Sequence, residues 1–464
     1  LDFTEGDRSK LVAIRPAWCR HQNFACHRLE IAGVHLMKAV QDNSFSSALR
    51  PALPSSQARR LKDELAGFAA FGKRTVVSVL KSTGHGEIPV FTNEFWTSRQ
   101  RAAASLHEIS YRACFKPQLP RFFIERLTLP GDIVYDPFMG RGTTLVEAAL
   151  LGRIPFGCDA NPLSRILTPP RLNPPGISAI SARLAEINFS ATAEFPESLL
   201  VFYHPETLRE ICALKQHLLL KQKRGTLDGV DAWIWMVATN RLTGHSPGFF
   251  SVYTLPPNQA VSVESQTKIN RKRNQTPPRR LVPELILRKS RQLLSNLSDA
   301  DLQRLSLAAD SSLILTRSAD DTPEIQSHSV ALAVTSPPFL DVVDYEKDNW
   351  LRAWFGGVDM TRQTIWQLKN LDDWEKSMGK VMSEIRRVLQ PGGWLAFEVG
   401  EVRNGKLKLE NSALKAGAEA GLHPVLGLIN DQVFTKTSNC WGIHNREKGT
   451  NTNRIILFQK CGDF

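Results

Sequence analysis

The chain has 464 residues, long enough for roughly two to four domains and for a core that needs neither disulfides nor metals. Hydrophobic residues make up 42% and charged residues 22%, which excludes wholesale disorder, collagen and coiled coil. A net charge of +12 points to a polyanionic partner without saying which one, or what is done to it.

From the N-terminus, residues 1–95 carry little signal and form a segment of unknown role. The opening Leu-Asp-Phe-Thr-Glu lacks a basic stretch followed by an apolar one, so no secretory leader is expected. Cys19, His21, Cys26 and His27 cluster, but their spacing matches no familiar zinc site, and no metal is expected. The seven cysteines include no Cys-x-x-Cys pair, which fits a reducing compartment. No stretch approaches about 18 apolar residues, so a soluble, cytoplasmic protein without membrane contact is expected. Residues 44–56 read as a loop, and 57–71 as an amphipathic helix.

From about residue 96 the pattern sharpens. Asp132–Asp136 is a short apolar run ending at a turn, Thr143–Leu151 a helix, and Ile154–Asp159 a second strand. Strand, helix, strand in so few residues is a βαβ unit. The same grammar resumes at Leu313–Thr316 and Val330–Thr335, then a helix at Met378–Leu389, a turn at Pro391–Gly393, and strands at Trp394–Val399, Pro424–Asn430 and Arg454–Phe458. The count is seven strands with one long interruption, 171–310. That interruption is mostly helical over 201–245 and loop-like over Gly244–Tyr253. Its Lys268–Arg291 stretch holds nine Lys/Arg against a single acid, Glu284. Such a run suits a solvated face as well as phosphate contact.

Two motifs carry chemistry. Asp136-Pro137-Phe138-Met139-Gly140-Arg141-Gly142-Thr143-Thr144 lies between a strand and a helix. Its glycines allow a tight turn and close approach of a ligand, and the helix offers free N–H groups to an anion. Asp159 ends the next strand, where a carboxylate can accept both hydroxyls of a ribose. No lysine follows in the manner of a nucleotide-binding P-loop. The second motif, Thr335-Ser336-Pro337-Pro338-Phe339, ends a strand in a stiff turn. It would hold a hydroxyl, a carbonyl and an aromatic ring in one arrangement, suited to an exocyclic amine on a flat base.

Together the motifs resemble the S-adenosylmethionine-dependent amino-methyltransferases of DNA, most closely the N4-cytosine subgroup, over about 105–170 and 311–464. The resemblance implies an α/β fold: a Rossmann-like, seven-stranded methyltransferase sheet with a basic, partly helical target-recognition insert at 171–310. The catalytic domain would then fall in two parts, 96–170 and 311–464. The resemblance also implies S-adenosyl-L-methionine as cofactor, held by Phe115, Lys116, Pro117, Asp136, Pro137, Phe138, Gly140, Gly142, Thr143, Thr144, Asp159, Asn161 and Asp320. Catalysis is assigned to Ser336, Pro337, Pro338 and Phe339. Asp341, Asp344 and Glu398 are candidates by position to take a proton.

Double-stranded DNA is the implied partner, contacted by Arg271, Lys272, Arg273, Arg279 and Arg280, with a cognate restriction endonuclease as a possible second protein acting on the same site. The rivals are an N6-adenine enzyme, which usually carries Asp or Asn where Ser336 stands, and a non-catalytic DNA-binding protein on the same frame. Ring-carbon methylation is disfavoured, because it needs a nucleophilic thiol and no Pro-Cys dipeptide occurs.

Overall fold

The computed structural model describes residues 54–82, 86–97, 103–111, 114–191, 194–254, 260–338, 345–360, 366, 368, 370–399, 401–402, 407–431 and 452–461. The strands of its main sheet, in chain order, are β1 (Val76–Ser82), β2 (Gly86–Asn93), β3 (Ile133–Asp136), β4 (Ile154–Cys158), β5 (Leu313–Leu315), β6 (Val330–Thr335), β7 (Leu389–Val399), β8 (His423–Asp431) and β9 (Thr452–Gln459). They lie side by side as β1-β2-β8-β9-β7-β6-β3-β4-β5. From β7 to β5 all pairings are parallel, while β9 runs antiparallel to both β7 and β8. The strand order reverses between β3 and β6, and both motifs lie at the carboxyl ends of these two neighbouring strands. In open α/β sheets such a crevice is where ligands bind.

The seven expected strands are therefore all present, as β3 to β9. Two further strands, β1 and β2, precede residue 96. β1 and β2 form a hairpin with each other, and β2 joins the sheet by pairing parallel with β8, Gly427 opposite Val90. Two expectations shift. The helix expected at Met378 begins seven residues earlier, where Asn370 accepts the Asp373 N–H. The turn at Pro391–Gly393 lies inside β7: Val330 faces Leu389 and Leu332 faces Trp394, so the extra residues bulge out between them.

Alternation along the strands divides the core. The helices, in chain order, are α1 (Pro54–Gly67), α2 (Gln118–Leu127), α3 (Thr143–Leu150), α4 (Leu163–Leu167), α5 (Pro169–Leu172), α6 (Ile177–Glu186), α7 (Pro205–Arg224), α8 (Gly229–Thr239), α9 (Val263–Arg273), α10 (Val282–Leu294), α11 (Asp299–Ser311), α12 (Tyr345–Gly356), α13 (Leu371–Val388) and α14 (Leu409–Glu419). On one side of the sheet Val134, Val334, Trp394 and Ala396 meet Leu65 of α1 and Phe123 of α2. On the other, Tyr135, Ala333, Leu395 and Phe397 meet Trp374, Met378 and Ile385 of α13 and Leu414 of α14.

The interruption 171–310 builds a helical layer that packs against α3 and the β4–β5 edge of the sheet. Trp233 and Ile234 of α8 and Ile286 of α10 share one cluster with Val146 and Ala149 of α3 and Phe355 of α12. Trp233, fully buried, donates its indole N–H to Ser290 Oγ at 2.9 Å, so even its polar atom is satisfied.

Candidate active site

The Gly140–Gly142 loop owes its shape to two left-handed residues. Gly142, at φ 72°, caps α3, and a Cβ there would stand 2.4 Å from the Thr168 methyl. Gly140, at φ 49°, lies beside Tyr111, and a Cβ there would stand 3.3 Å from the Tyr111 ring. Gly157 on β4 gives the loop room to pack, since a Cβ would stand 2.6 Å from Met139 Sδ. That glycine was not singled out from sequence, because a lone glycine in a strand has many explanations.

Asp136 ties the two motifs together. One carboxylate oxygen accepts the Phe138 N–H at 3.1 Å and the Thr335 hydroxyl at 2.7 Å, and the other accepts the Thr144 hydroxyl at 2.8 Å. Burial pushes its carboxyl up to about 6 despite these donors. The carboxylate thus braces β3, β6 and the first turn of α3 at one point.

Asp159, expected at a ribose, accepts the Gly140 N–H and the Asn161 N–H, each at 2.7 Å. Burial raises its carboxyl to about 6 as well. Each oxygen retains a lone pair beyond these bonds. Asn161 accepts the Leu163 N–H and donates to the Tyr111 hydroxyl. Asp320 follows β5 and is hydrogen-bonded by the Ser318 hydroxyl.

A cavity lies between the motifs, lined by Tyr111, Cys114, Phe115, Asp136, Phe138, Met139, Gly140, Arg141, Thr143 and Ser336. The expected cofactor residues Lys116, Pro117, Pro137, Gly142 and Thr144 are chain neighbours of this lining, whereas Asp159, Asn161 and Asp320 stand outside it. The surroundings are strongly cationic. Arg141 is buried and donates to the carbonyls of His107 and Ile109, at 3.0 and 2.6 Å. Burial and then Arg141 hold Lys116 below its usual value, and the same two causes bring Arg171 down to about 9. Cations short of counter-charge beside the start of α3 suit a ligand with a carboxylate.

Ser336 closes this cavity at the end of β6. The next residues are held from α13: the Trp374 indole N–H donates to the Pro338 carbonyl at 3.0 Å. Behind Ser336 stands Glu398 of β7, buried and hydrogen-bonded to the Ser336 side chain. Asn453 Nδ2 donates to Glu398 Oε1 at 2.5 Å. Burial raises the Glu398 carboxyl to about 7, against the effect of both hydrogen bonds. Phe339, Asp341 and Asp344, and the Cys19–His27 cluster, lie outside the described residues. Among the described residues no group of His, Cys, Asp or Glu could hold a metal.

The expected DNA contacts divide. Arg271, Lys272 and Arg273 form the exposed last turn of α9, with Arg273 stacked over Tyr253 at 3.8 Å. Arg279 is taken up by Glu206 and Glu210 of α7, at 3.4 and 2.8 Å. Arg280 is half-buried, with its backbone joined to Thr207.

Residues 78–164, running from β1 through the glycine loop to Asp159, match a family model described as DNA methylase. The matched segment holds the glycine loop and Asp159. The chain is 35% identical over 89 residues to the type II methyltransferase M.MjaII of Methanocaldococcus jannaschii, covering 19% of this chain and 17% of that one. It is 34% identical over 97 residues to the type II methyltransferase M.MvaI of Kocuria varians, covering 20% of each. A tRNA (guanine(10)-N2)-dimethyltransferase of M. jannaschii is 28% identical over 111 residues, covering 22% of this chain and 32% of that one. The likeness thus spans a third or less of each relative's length. Among the described residues no helix is long and apolar enough to cross a membrane.

Proposed function

We propose that the chain is a DNA methyltransferase that uses S-adenosyl-L-methionine to methylate the exocyclic N4 amine of a cytosine flipped out of the duplex. The observation that carries this reading is that Ser336 lines the same cavity as the Gly140 loop, with Glu398 behind it. Bound there, the cofactor would supply an electrophilic sulfonium methyl. Phe115, Gly140 and the start of α3 would hold its methionine end, Lys116 and Arg141 would favour its carboxylate, and Asp159 and Asp320 would reach its nucleoside.

Ser336 and the Pro337 carbonyl would accept the two amine N–H bonds. That draws the nitrogen lone pair out of conjugation with the ring and aims it across the cavity. Phe339 would stack on the base once it has left the duplex. Ser336 can accept from the amine because its own proton is directed at Glu398. A carboxyl near neutrality can take the surplus proton at cellular pH. The Arg271–Arg273 turn would lie against phosphates, and the helical layer 171–310 would read the site. A restriction endonuclease cutting the same unmodified sequence is the natural second protein.

Expression in a methylation-free host followed by mapping of modified bases tests the reading. N4-methylcytosine at a defined motif is the expected result. N6-methyladenine would overturn the choice of base, and an unmodified genome would overturn the catalytic assignment.

A further inference from the structure

The +12 charge suggested a basic stretch at 268–291, and two of its residues, Arg288 and Lys289, form a desolvated cationic group with Arg241, which lies outside it. Arg241 follows α8, and Arg288 and Lys289 lie on α10. Arg241 and Arg288 contact the Gly244–Tyr253 loop, and Lys289 donates to Gln292 Oε1 at 3.1 Å. The loop doubles back on itself: Gly244 and Tyr253 are bridged, and a Cβ on Gly244 would stand 2.4 Å from the Phe249 ring. The Arg241 guanidinium lies 4.0 Å from the centroid of the same ring, and Arg241 O accepts the Phe250 N–H at 2.8 Å. Arg288 donates to the Pro247 carbonyl at 3.2 Å. Stacking and carbonyl contacts thus fix both guanidinium groups, although neither has a carboxylate in ion-pair contact among the described residues.

Burial makes this costly. Arg241 is 8% exposed and Lys289 6%. Burial and then the neighbouring cations Arg288 and Arg352 bring Arg241 down to about 10, and burial and then Arg241 bring Lys289 down to about 8. The nearest acid, Glu108, stands 3.6 Å from Lys289 Nζ and also accepts a hydrogen bond from Gln292. One carboxylate facing so many positive charges leaves them under-neutralised, while Arg288 keeps the group open to solvent.

The position adds a second argument. Asn240, one residue before Arg241, accepts the Ser110 N–H, and Arg352 donates to the Ser110 carbonyl at 3.1 Å. Ser110 precedes Tyr111, which lines the candidate active site. The cationic group is therefore joined to the wall of that site through a single residue.

We propose that Arg241, Arg288 and Lys289 form a phosphate-binding site that grips the DNA backbone beside the cavity into which the base is drawn. This rests on the proposed function above and names a contact that the α9 arginines do not make. Fixed guanidinium groups suit phosphate oxygens, because the donors are already aimed when the anion arrives.

The test uses the full chain and a labelled random-sequence duplex, with affinity measured as a function of salt. Arg241→Gln and Arg288→Gln should each weaken binding about tenfold and reduce the slope of log affinity against log salt by about 1. Lys376→Gln, which removes an exposed cation from α13, serves as the charge-matched control and should change neither by that much. If Arg241→Gln fails to fold, the exposed Arg288 carries the test alone. Variants that match the control would overturn the site while leaving the function standing. A wild-type chain that binds no duplex would overturn the function itself and the site with it.

Discussion

Replacing Glu398 by glutamine separates two consequences of one buried carboxyl. The group sits about 7 rather than at its ordinary 4.5, a gap worth about 3 kcal/mol at roughly 1.4 kcal/mol per unit. For a carboxyl raised in the folded state, the stabilising contribution is complete below the ordinary value. It is lost as pH rises through the folded one. Wild-type stability should therefore fall between pH 5 and pH 8 by an amount of that order from this group alone. Glu398→Gln keeps an oxygen for the Asn453 amide but carries no charge at any pH. The variant should match wild type within about 1 kcal/mol at pH 5 and exceed it by up to about 3 kcal/mol at pH 8. Turnover should fall about a hundredfold or more, because the proton acceptor behind Ser336 is gone. Urea unfolding at the two pH values and single-turnover methyl transfer measure the two arms. A stability gap that stays constant from pH 5 to pH 8 would refute the electrostatic reasoning. Undiminished turnover would refute the catalytic one.

Gly142→Ala should cost about 3 kcal/mol in thermal unfolding, combining a left-handed backbone with overpacking against Thr168. Adding Thr168→Ala should recover part of this loss, the part due to crowding. Trp374→Phe removes the donor to the Pro338 carbonyl and should cost about 1 kcal/mol. Its signature is lower turnover with unchanged cofactor affinity by calorimetry; equal losses in both would contradict a positioning role. Arg271→Gln should reduce the salt slope of duplex binding by about 1, whereas Arg279→Gln, already neutralised by Glu206 and Glu210, should reduce it less.

The parallel strands were legible because each is a short apolar run with a turn signal at its end, as in Val330–Thr335, which is buried throughout. The hairpin β1–β2 was not, for two reasons. Pro89 interrupts β2, and a proline usually demotes a strand. Its partner β8 also lies more than 300 residues away in sequence, where no local pattern reaches. The two motifs could be read from sequence because glycines and prolines act through the backbone next to them. The pairing of Ser336 with Glu398 could not, since it exists only because β6 and β7 are neighbours. The basic run could be read only as a count of charges, for a related reason. Counting charges over 268–291 cannot show that Glu206 and Glu210, an α-helix away, have already claimed Arg279. Nor can it show that Arg241, outside the run, lies buried against Arg288 and Lys289.

The seam between β2 and β8 bears on how the molecule comes to exist. Asn430 accepts the backbone N–H groups of Phe95 and Trp96, closing contacts across 335 and 334 residues. During synthesis, then, the hairpin emerges long before the strand it must lie beside. Its valines, Val76, Val77 and Val79, remain more than half exposed even in the finished fold. Until β8 leaves the ribosome the hairpin has no sheet to join, and loop closure over such a span makes the joining slow. A nascent chain stalled before residue 423 would therefore present an unpaired, β-branched hairpin to its neighbours and to chaperones, with the glycine loop already made and the sheet still open along one side.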